Sequence, residues 1–220
     1  MGHEDLAMCS NWMDFIKADP AYRFMYTWHF VSIPDGKTYD DIIPPAKGDV
    51  IATIERLTEE LKTGKISDGD DRYAIRCLVH LIGDIHQPFH VGRKEDLGGN
   101  RVRVAWFRSN TNLHRVWDSE IIDHQQLSYT EYATYLNHIE TDTVNTWQAA
   151  SVRDWAQESM SYRDILYQLP PDSTLRYRYN FDHKALLERR LTQAGIRLAG
   201  VLNDVYSKPR SYWLKQKALD

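Results

Sequence analysis

Cysteine is nearly missing from this chain: Cys9 and Cys77 are the only two among 220 residues. They make one bridge or none, too few for a disulfide scaffold, and they lack the CxxC spacing of a thiolate zinc site. Long apolar runs are missing as well. The best of them, residues 78–83, is interrupted by His80 and followed by Asp84, far short of the roughly 18 apolar residues a membrane span requires. Nor is there an excess of positive charge. Lys and Arg number 27 against 31 Asp and Glu, a formal net charge of −4, so the surface as a whole gives no attraction for phosphates. Any handling of phosphate needs positive charge from another source. No internal repeat, low-complexity tract or linker stands out, and the Pro-rich stretches 34–45 and 168–171 are short enough to be loops. Met1 to Asp5 run straight into a helical pattern without an n-region, apolar h-region or cleavage site. The expectation is a chain with no signal peptide, either cytoplasmic or beginning after the native start.

What is present is ample for a core. Hydrophobic residues at 42% and aromatics at 12%, with charged residues at 26%, predict one folded domain over residues 1–220 and exclude disorder, collagen and coiled coil. Helical periodicity dominates. Val50, Ile51, Ile54, Leu57 and Leu61 recur at three- and four-residue steps over 49–65, with Gly64 as the stop. Ser67 and Asp68 offer caps for a helix to about residue 87, ended by Pro88. The period then changes: Gly98-Gly99-Asn100 is a turn, and Val102, Val104 and Trp106 alternate with Arg101, Arg103 and Ala105, predicting a strand or hairpin. Further helices are expected over 113–122, 129–139 behind the capping box Ser128-x-x-Glu131, 152–167, and 182–206 with Leu186, Leu187, Leu191, Ile196, Leu198, Val201 and Leu202 as its stripe. The expected fold class is all-α, a single multi-helix domain with a small β-hairpin.

Nine histidines and seven tryptophans are the unusual part of the composition. His80 sits among Cys77, Leu78, Val79, Leu81 and Ile82, and Asp84 follows four residues later on the same helical face. A buried carboxylate needs a partner, and a structural His–Asp bond would supply one. The arrangement recurs, however, in Asn112-Leu113-His114-Arg115-Val116-Trp117-Asp118, where His114 and Asp118 are again four apart. His90 stands just beyond the helix-ending Pro88. Upstream, Trp12-x-Asp14 and Trp28-His29 add a carboxylate and an imidazole beside tryptophans. Four His and three Asp in apolar or aromatic settings, without thiolate, are the ligand chemistry of a catalytic zinc site that keeps positions open. His86 projects from another face and reads as a surface or supporting group. His124, His138 and His183 lie in polar stretches and do not read as ligands, and His3 is native or a remnant of expression.

The string 78–90, Leu-Val-His-Leu-Ile-Gly-Asp-Ile-His-Gln-Pro-Phe-His, followed by Gly98-Gly99-Asn100 and Asn112-Leu113-His114-x-x-Trp117-Asp118, resembles the zinc-dependent single-strand nucleases and 3'-nucleotidases of the nuclease S1/P1 family, related in fold to bacterial phospholipase C. Asn11-Trp12-x-Asp14, Trp28-His29-Phe30 and Ala194-Gly195-Ile196-Arg197-Leu198-Ala199 extend the resemblance over nearly the whole chain. It implies a first zinc on Asp14, His29, His80 and Asp84 and a second on His90, His114 and Asp118. It also implies a third, bridged to the first by Asp84, whose other ligands come from the mature N-terminus and a nearby His; these are not recognisable here, unless His3 substitutes. Asp84 would both ligate and orient the attacking water. Lys17 stands where members place an Arg near the scissile phosphate, keeping charge and losing bidentate geometry. Phe30 is either a base-stacking face or core packing, Asn100 either lines the cleft or finishes its turn, and Ser32 replaces an Asp that contacts the base in some members. The implied activity is cleavage of single-stranded DNA and RNA to 5'-nucleotides with 3'-nucleotidase activity. The implied partners are those substrates, with no membrane span and no obligate protein partner, and the implied location is secreted or periplasmic. The alternatives are a phospholipase C-like phosphodiesterase and a non-catalytic zinc-containing nucleic-acid-binding protein.

Overall fold

The computed structural model describes residues 6–207; His3 and the leader-free N-terminal reading lie outside them. Ten α-helical segments follow one another: α1 (Leu6–Ile16), α2 (Val50–Thr63), α3 (Asp71–His86), α4 (Leu113–Arg115), α5 (Ile121–Asp123), α6 (Tyr129–Leu136), α7 (Thr141–Ala149), α8 (Val152–Ser161), α9 (Arg163–Leu166) and α10 (Tyr177–Tyr206). The strands are short: β1 (Val31–Ser32), β2 (Val91–Gly92), β3 (Arg103–Trp106), β4 (Ser109–Asn112) and β5 (Thr174–Leu175). The mostly α expectation holds, with more β structure than a lone hairpin. β3 and β4 form that hairpin, and β5 joins β3 in parallel to make three strands.

Local chemistry sets most boundaries. Asp49 caps α2 by accepting from the Ala52 amide at 3.0 Å, and Gly64 closes it with φ 71°. Asp70, rather than Ser67 or Asp68, caps α3 by accepting from Tyr73 N at 2.9 Å. The expected 113–122 helix is α4 and α5 joined through a π-helical turn, Val116–Glu120, which carries Trp117 and Asp118. The expected 152–167 helix is broken at Tyr162 into α8 and α9, and α10 begins five residues before the expected start. α7 and the 3-10 segment Pro20–His29 have no counterpart in the sequence reading.

α3 is the central element, packed against α1, α2, α8 and α10. Its Ala74, Cys77, Leu78, Leu81, Ile82 and Ile85 are fully covered and join Met13, Ile54, Leu57 and Trp155 in one core cluster. Burial of each large side chain there contributes about 1.5–3 kcal/mol. A second cluster gathers Phe89, Leu113, Trp117, Leu166, Leu175 and Leu187. The candidate site residues gather where these two cores meet, around the C-terminal half of α3. Both cysteines are buried, Cys9 on α1 and Cys77 on α3.

Candidate metal centre

Three local devices bring distant histidines together. β1 and β2 pair in parallel with Val31 opposite Val91, which sets the preceding His29 and His90 side by side; His90 Nδ1 donates to the His29 carbonyl at 2.7 Å. Arg163 locks this pair from α9. Its buried guanidinium donates to Ile33 O at 2.7 Å, to Val91 O at 2.8 Å and to Gly92 O at 3.2 Å. The third device is the Gly98–Gly99 turn. Both residues have positive φ, and a Cβ on Gly98 would lie 2.3 Å from Phe89 O, so only glycine permits this approach. The turn thereby presents Gly98 O to His114 Nδ1 at 2.7 Å.

Two clusters result. Asp14, His29 and His80 offer ligand atoms all within 4.8 Å of one another, and so do His90, His114 and Asp118. Asp84 lies between them. Its Oδ2 is 3.0 Å from His29 Nδ1 and 3.1 Å from His80 Nε2, while Oδ1 is 3.7 Å from His90 Nδ1. Asp118 meets His90 Nε2 at 3.3 Å and His114 Nε2 at 3.1 Å, and Gln87 Nε2 donates to it at 2.6 Å. The histidines and Asp84 are largely covered, whereas the side chains of Asp14 and Asp118 are 55% and 37% exposed, so each cluster keeps an open side.

The donor set fits a divalent cation. His80, His90 and His114 each place Nδ1–H on a backbone carbonyl, of Ser10 (2.5 Å), His29 and Gly98 respectively. That fixes the tautomer and turns the Nε2 lone pair inward, as in metal-ligating imidazoles. An Nε2 lone pair facing a carboxylate 3.1 Å away is repulsive, so positive charge, a proton or a divalent cation, belongs between them. The electrostatics of the centre reflect the same clustering of charge. Burial disfavours the charged form of His90, but the charge of Asp84, then Asp118, overrides it and raises the pKa to about 9. His80 is raised against burial by Asp84. Burial opposes ionisation of Asp84 and Asp118, yet the imidazoles around them hold both carboxyls far below the ordinary range. His29 Nε2 is buried without a hydrogen-bond partner.

Of the remaining predicted residues, Lys17 contacts a member of the first cluster, whereas none of Lys17, Phe30 and Asn100 lines the cavity beside the centre. Lys17 is exposed and pairs with Asp14 Oδ1 at 2.6 Å. Phe30 is half-buried, edge-on to Tyr26 at 5.7 Å. Asn100 is exposed, its Nδ2 donating to Leu97 O at 2.9 Å within the turn. A cavity of about 350 Å3 opens beside His80, Asp84, His90 and Asp118, walled by Val79, Trp117, Leu187 and Leu191.

Two placements correct the sequence reading. His86 is buried, not at the surface, because α8 and α10 cover that face of α3: its Nδ1 donates to Ile82 O at 2.7 Å and its Nε2 meets Arg197 Nη1 at 2.9 Å. Burial, then Arg190, keeps it neutral. His183 is also buried, its ring 4.2 Å from Tyr179. Sequence reasoning missed Gln87, Arg163 and the group Glu158, Arg190, Gln193 and Arg197. Their one signal was polar residues on the inward face of α10, seven apart at Arg190 and Arg197.

The S1/P1 Nuclease family model matches residues 1–207. Endonuclease 3 of Arabidopsis thaliana is 32% identical over 94% of this chain and 78% of its own length, and Endonuclease 4 of the same plant is 33% identical over 94% and 79%. Nuclease S1 of Aspergillus oryzae is 28% identical over 93% of this chain and 80% of its own. With the family model matching almost all of its length and relatives above 30% identity over 94% of it, the chain belongs to the S1/P1 nuclease family.

Proposed function

We propose that the chain, acting as one domain, is a zinc-dependent endonuclease that hydrolyses single-stranded DNA and RNA to 5'-nucleotides and removes 3'-phosphates. The observation that carries this reading is the pair of His/Asp clusters flanking Asp84. Asp14, His29, His80 and Asp84 would hold one zinc, and His90, His114 and Asp118 a second. Among the described residues no third cluster of this kind occurs. Zinc, when bound, lowers the pKa of water from about 15.7 to near 7 and offsets phosphate charge, which is how a chain of net charge −4 meets a polyanion.

The protein groups divide the remaining work. Asp84, reaching both clusters, accepts the proton-bearing side of the attacking water and orients it toward phosphorus. Gln87 and the carbonyls of Ser10, His29 and Gly98 hold the ligands in place, so no reorganisation is needed when charge develops. Lys17 adds one positive charge at the open side of Asp14. By family resemblance, Phe30 would supply a ring on which any base can stack, which favours an unpaired strand, and Asn100 would contact substrate from its turn. Family resemblance supports a location outside the cytoplasm; among the described residues no helix is long and apolar enough to cross a membrane.

The test is hydrolysis of a single-stranded oligonucleotide and its duplex by the zinc-loaded chain. The expected result is release of 5'-nucleotides from the single strand, at least ten-fold faster than from the duplex, abolished by a chelator and restored by zinc. No hydrolysis of either substrate after zinc loading contradicts the reading.

A further inference from the structure

The last turn of a helix leaves carbonyls without intrahelical partners, and in α3 this turn carries Asp84 and leads through Gln87 to His90. Its carbonyls are not left to water. Gln87 N donates to Asp84 O at 3.0 Å. Ser159 Oγ, from α8, donates to Ile85 O at 2.6 Å, and Arg190 Nε, from α10, donates to His86 O at 3.0 Å. Ser159 is fully covered and Arg190 is 2% exposed. The two are themselves joined, because Arg190 Nη2 donates to Ser159 Oγ at 2.6 Å. Arg190 spends its other hydrogens on Glu158, Gln193 and the Trp155 carbonyl at 2.7, 2.7 and 3.3 Å. A guanidinium held by that many partners has one orientation, and a cation at a helix C-terminus is favoured by the helix dipole.

The geometry points to Ser159 and Arg190 as positioning residues that fix the end of α3 and, through it, the spacing between the two metal clusters. Neither touches a ligand side chain. What they hold is the backbone from which both clusters grow: Asp84 lies two residues before His86, and Gln87, the next residue, bonds Asp118 of the second cluster at 2.6 Å. Release of the Ile85 and His86 carbonyls frees this turn to shift, and a displacement of about 1 Å at a reacting centre costs on the order of 100-fold in rate. This inference rests on the reading of the two clusters as the metal centre.

The experiment compares the zinc-loaded wild-type chain with Ser159→Ala, Arg190→Lys and Leu61→Ala, the last a cavity variant in α2 that lowers stability alone. Zinc affinity is read by competition with a chromophoric chelator, kcat and KM on a dinucleotide, and folding by circular dichroism. Ser159→Ala removes one oxygen and serves where Arg190→Lys fails to fold. The expected result is a loss of about 10–100-fold in zinc affinity or kcat for Ser159→Ala, up to what a displacement of about 1 Å costs, with KM within twofold and Leu61→Ala unchanged in both. Zinc affinity and kcat within twofold of wild type for Ser159→Ala, with only the melting temperature lowered, would overturn the proposal. A wild-type chain that binds no zinc and cuts nothing refutes instead the metal-centre reading on which it rests.

Discussion

Replacing Asp84 by Asn lowers dinucleotide hydrolysis by more than about 1,000-fold, beyond the 10–100-fold that loss of an outer-shell partner costs. The substitution keeps the volume and one acceptor oxygen but removes the charge that meets His29 and His80 through Oδ2 and His90 through Oδ1. No other carboxylate in the structure touches both clusters, so nothing nearby compensates among the described residues. Zinc analysis of the same variant separates the causes: fewer zinc ions per chain than wild type marks loss of a ligand, and full zinc with no hydrolysis marks loss of the orienting charge. Activity within tenfold of wild type contradicts the role given to Asp84.

Glu158→Ala has the largest effect on stability. Glu158 accepts from Arg190 Nη1 and from Arg197 Nη1 and Nη2 at 2.7, 2.7 and 2.8 Å, and the two arginines are 2% and 1% exposed. Their removal from water is tolerated because this carboxylate faces them. Stripping one partner from a fully buried ion pair costs about 3–5 kcal/mol. Glu158 is itself 32% exposed and both arginines keep other acceptors, so about 2–3 kcal/mol is expected here. At about 2–4 °C per kcal/mol for a chain of this size, that lowers the melting temperature by about 4–12 °C. Burial raises the Glu158 pKa, but the bonds and charges of Arg197 and Arg190 outweigh it and set it below the ordinary value. A carboxyl with a depressed folded pKa stabilises above its unfolded pKa and loses that contribution as pH falls through the folded one. The gap between wild type and variant is therefore widest near neutral pH and narrows below the usual carboxylate range. A melting temperature within 3 °C of wild type at neutral pH contradicts this account.

The residues proposed to hold metal stood out in the sequence because ligand spacing and apolar context are both local. His80 and Asp84, and His114 and Asp118, announce a shared helical face within five residues, and the flanking Leu, Ile and Trp mark that face as covered. The clamp around α3 was not readable for the opposite reason. Ser159 reaches Ile85 across 74 positions and Arg190 reaches His86 across 104, and hydropathy assigns arginine to the surface wherever its partner is remote. The expected apolar stripe of α10 is only part of its inner face: Leu186, Leu187, Leu191, Leu198 and Val201 pack against the two cores, but the most covered line also includes His183, Arg190, Gln193 and Arg197. α7 was missed because it has no buried residue to generate a period. The 113–122 segment was read as one helix because a π turn keeps the sequence pattern while adding a residue to the ring.

Zinc-edge anomalous diffraction from crystals of the zinc-loaded chain tests the central claim most directly. One anomalous peak is expected among Asp14, His29, His80 and Asp84 and another among His90, His114 and Asp118, with the Nδ1 atoms of His80, His90 and His114 still on backbone carbonyls. Electron density with these imidazoles and carboxylates hydrogen-bonded to one another, and no anomalous signal between them, would contradict it.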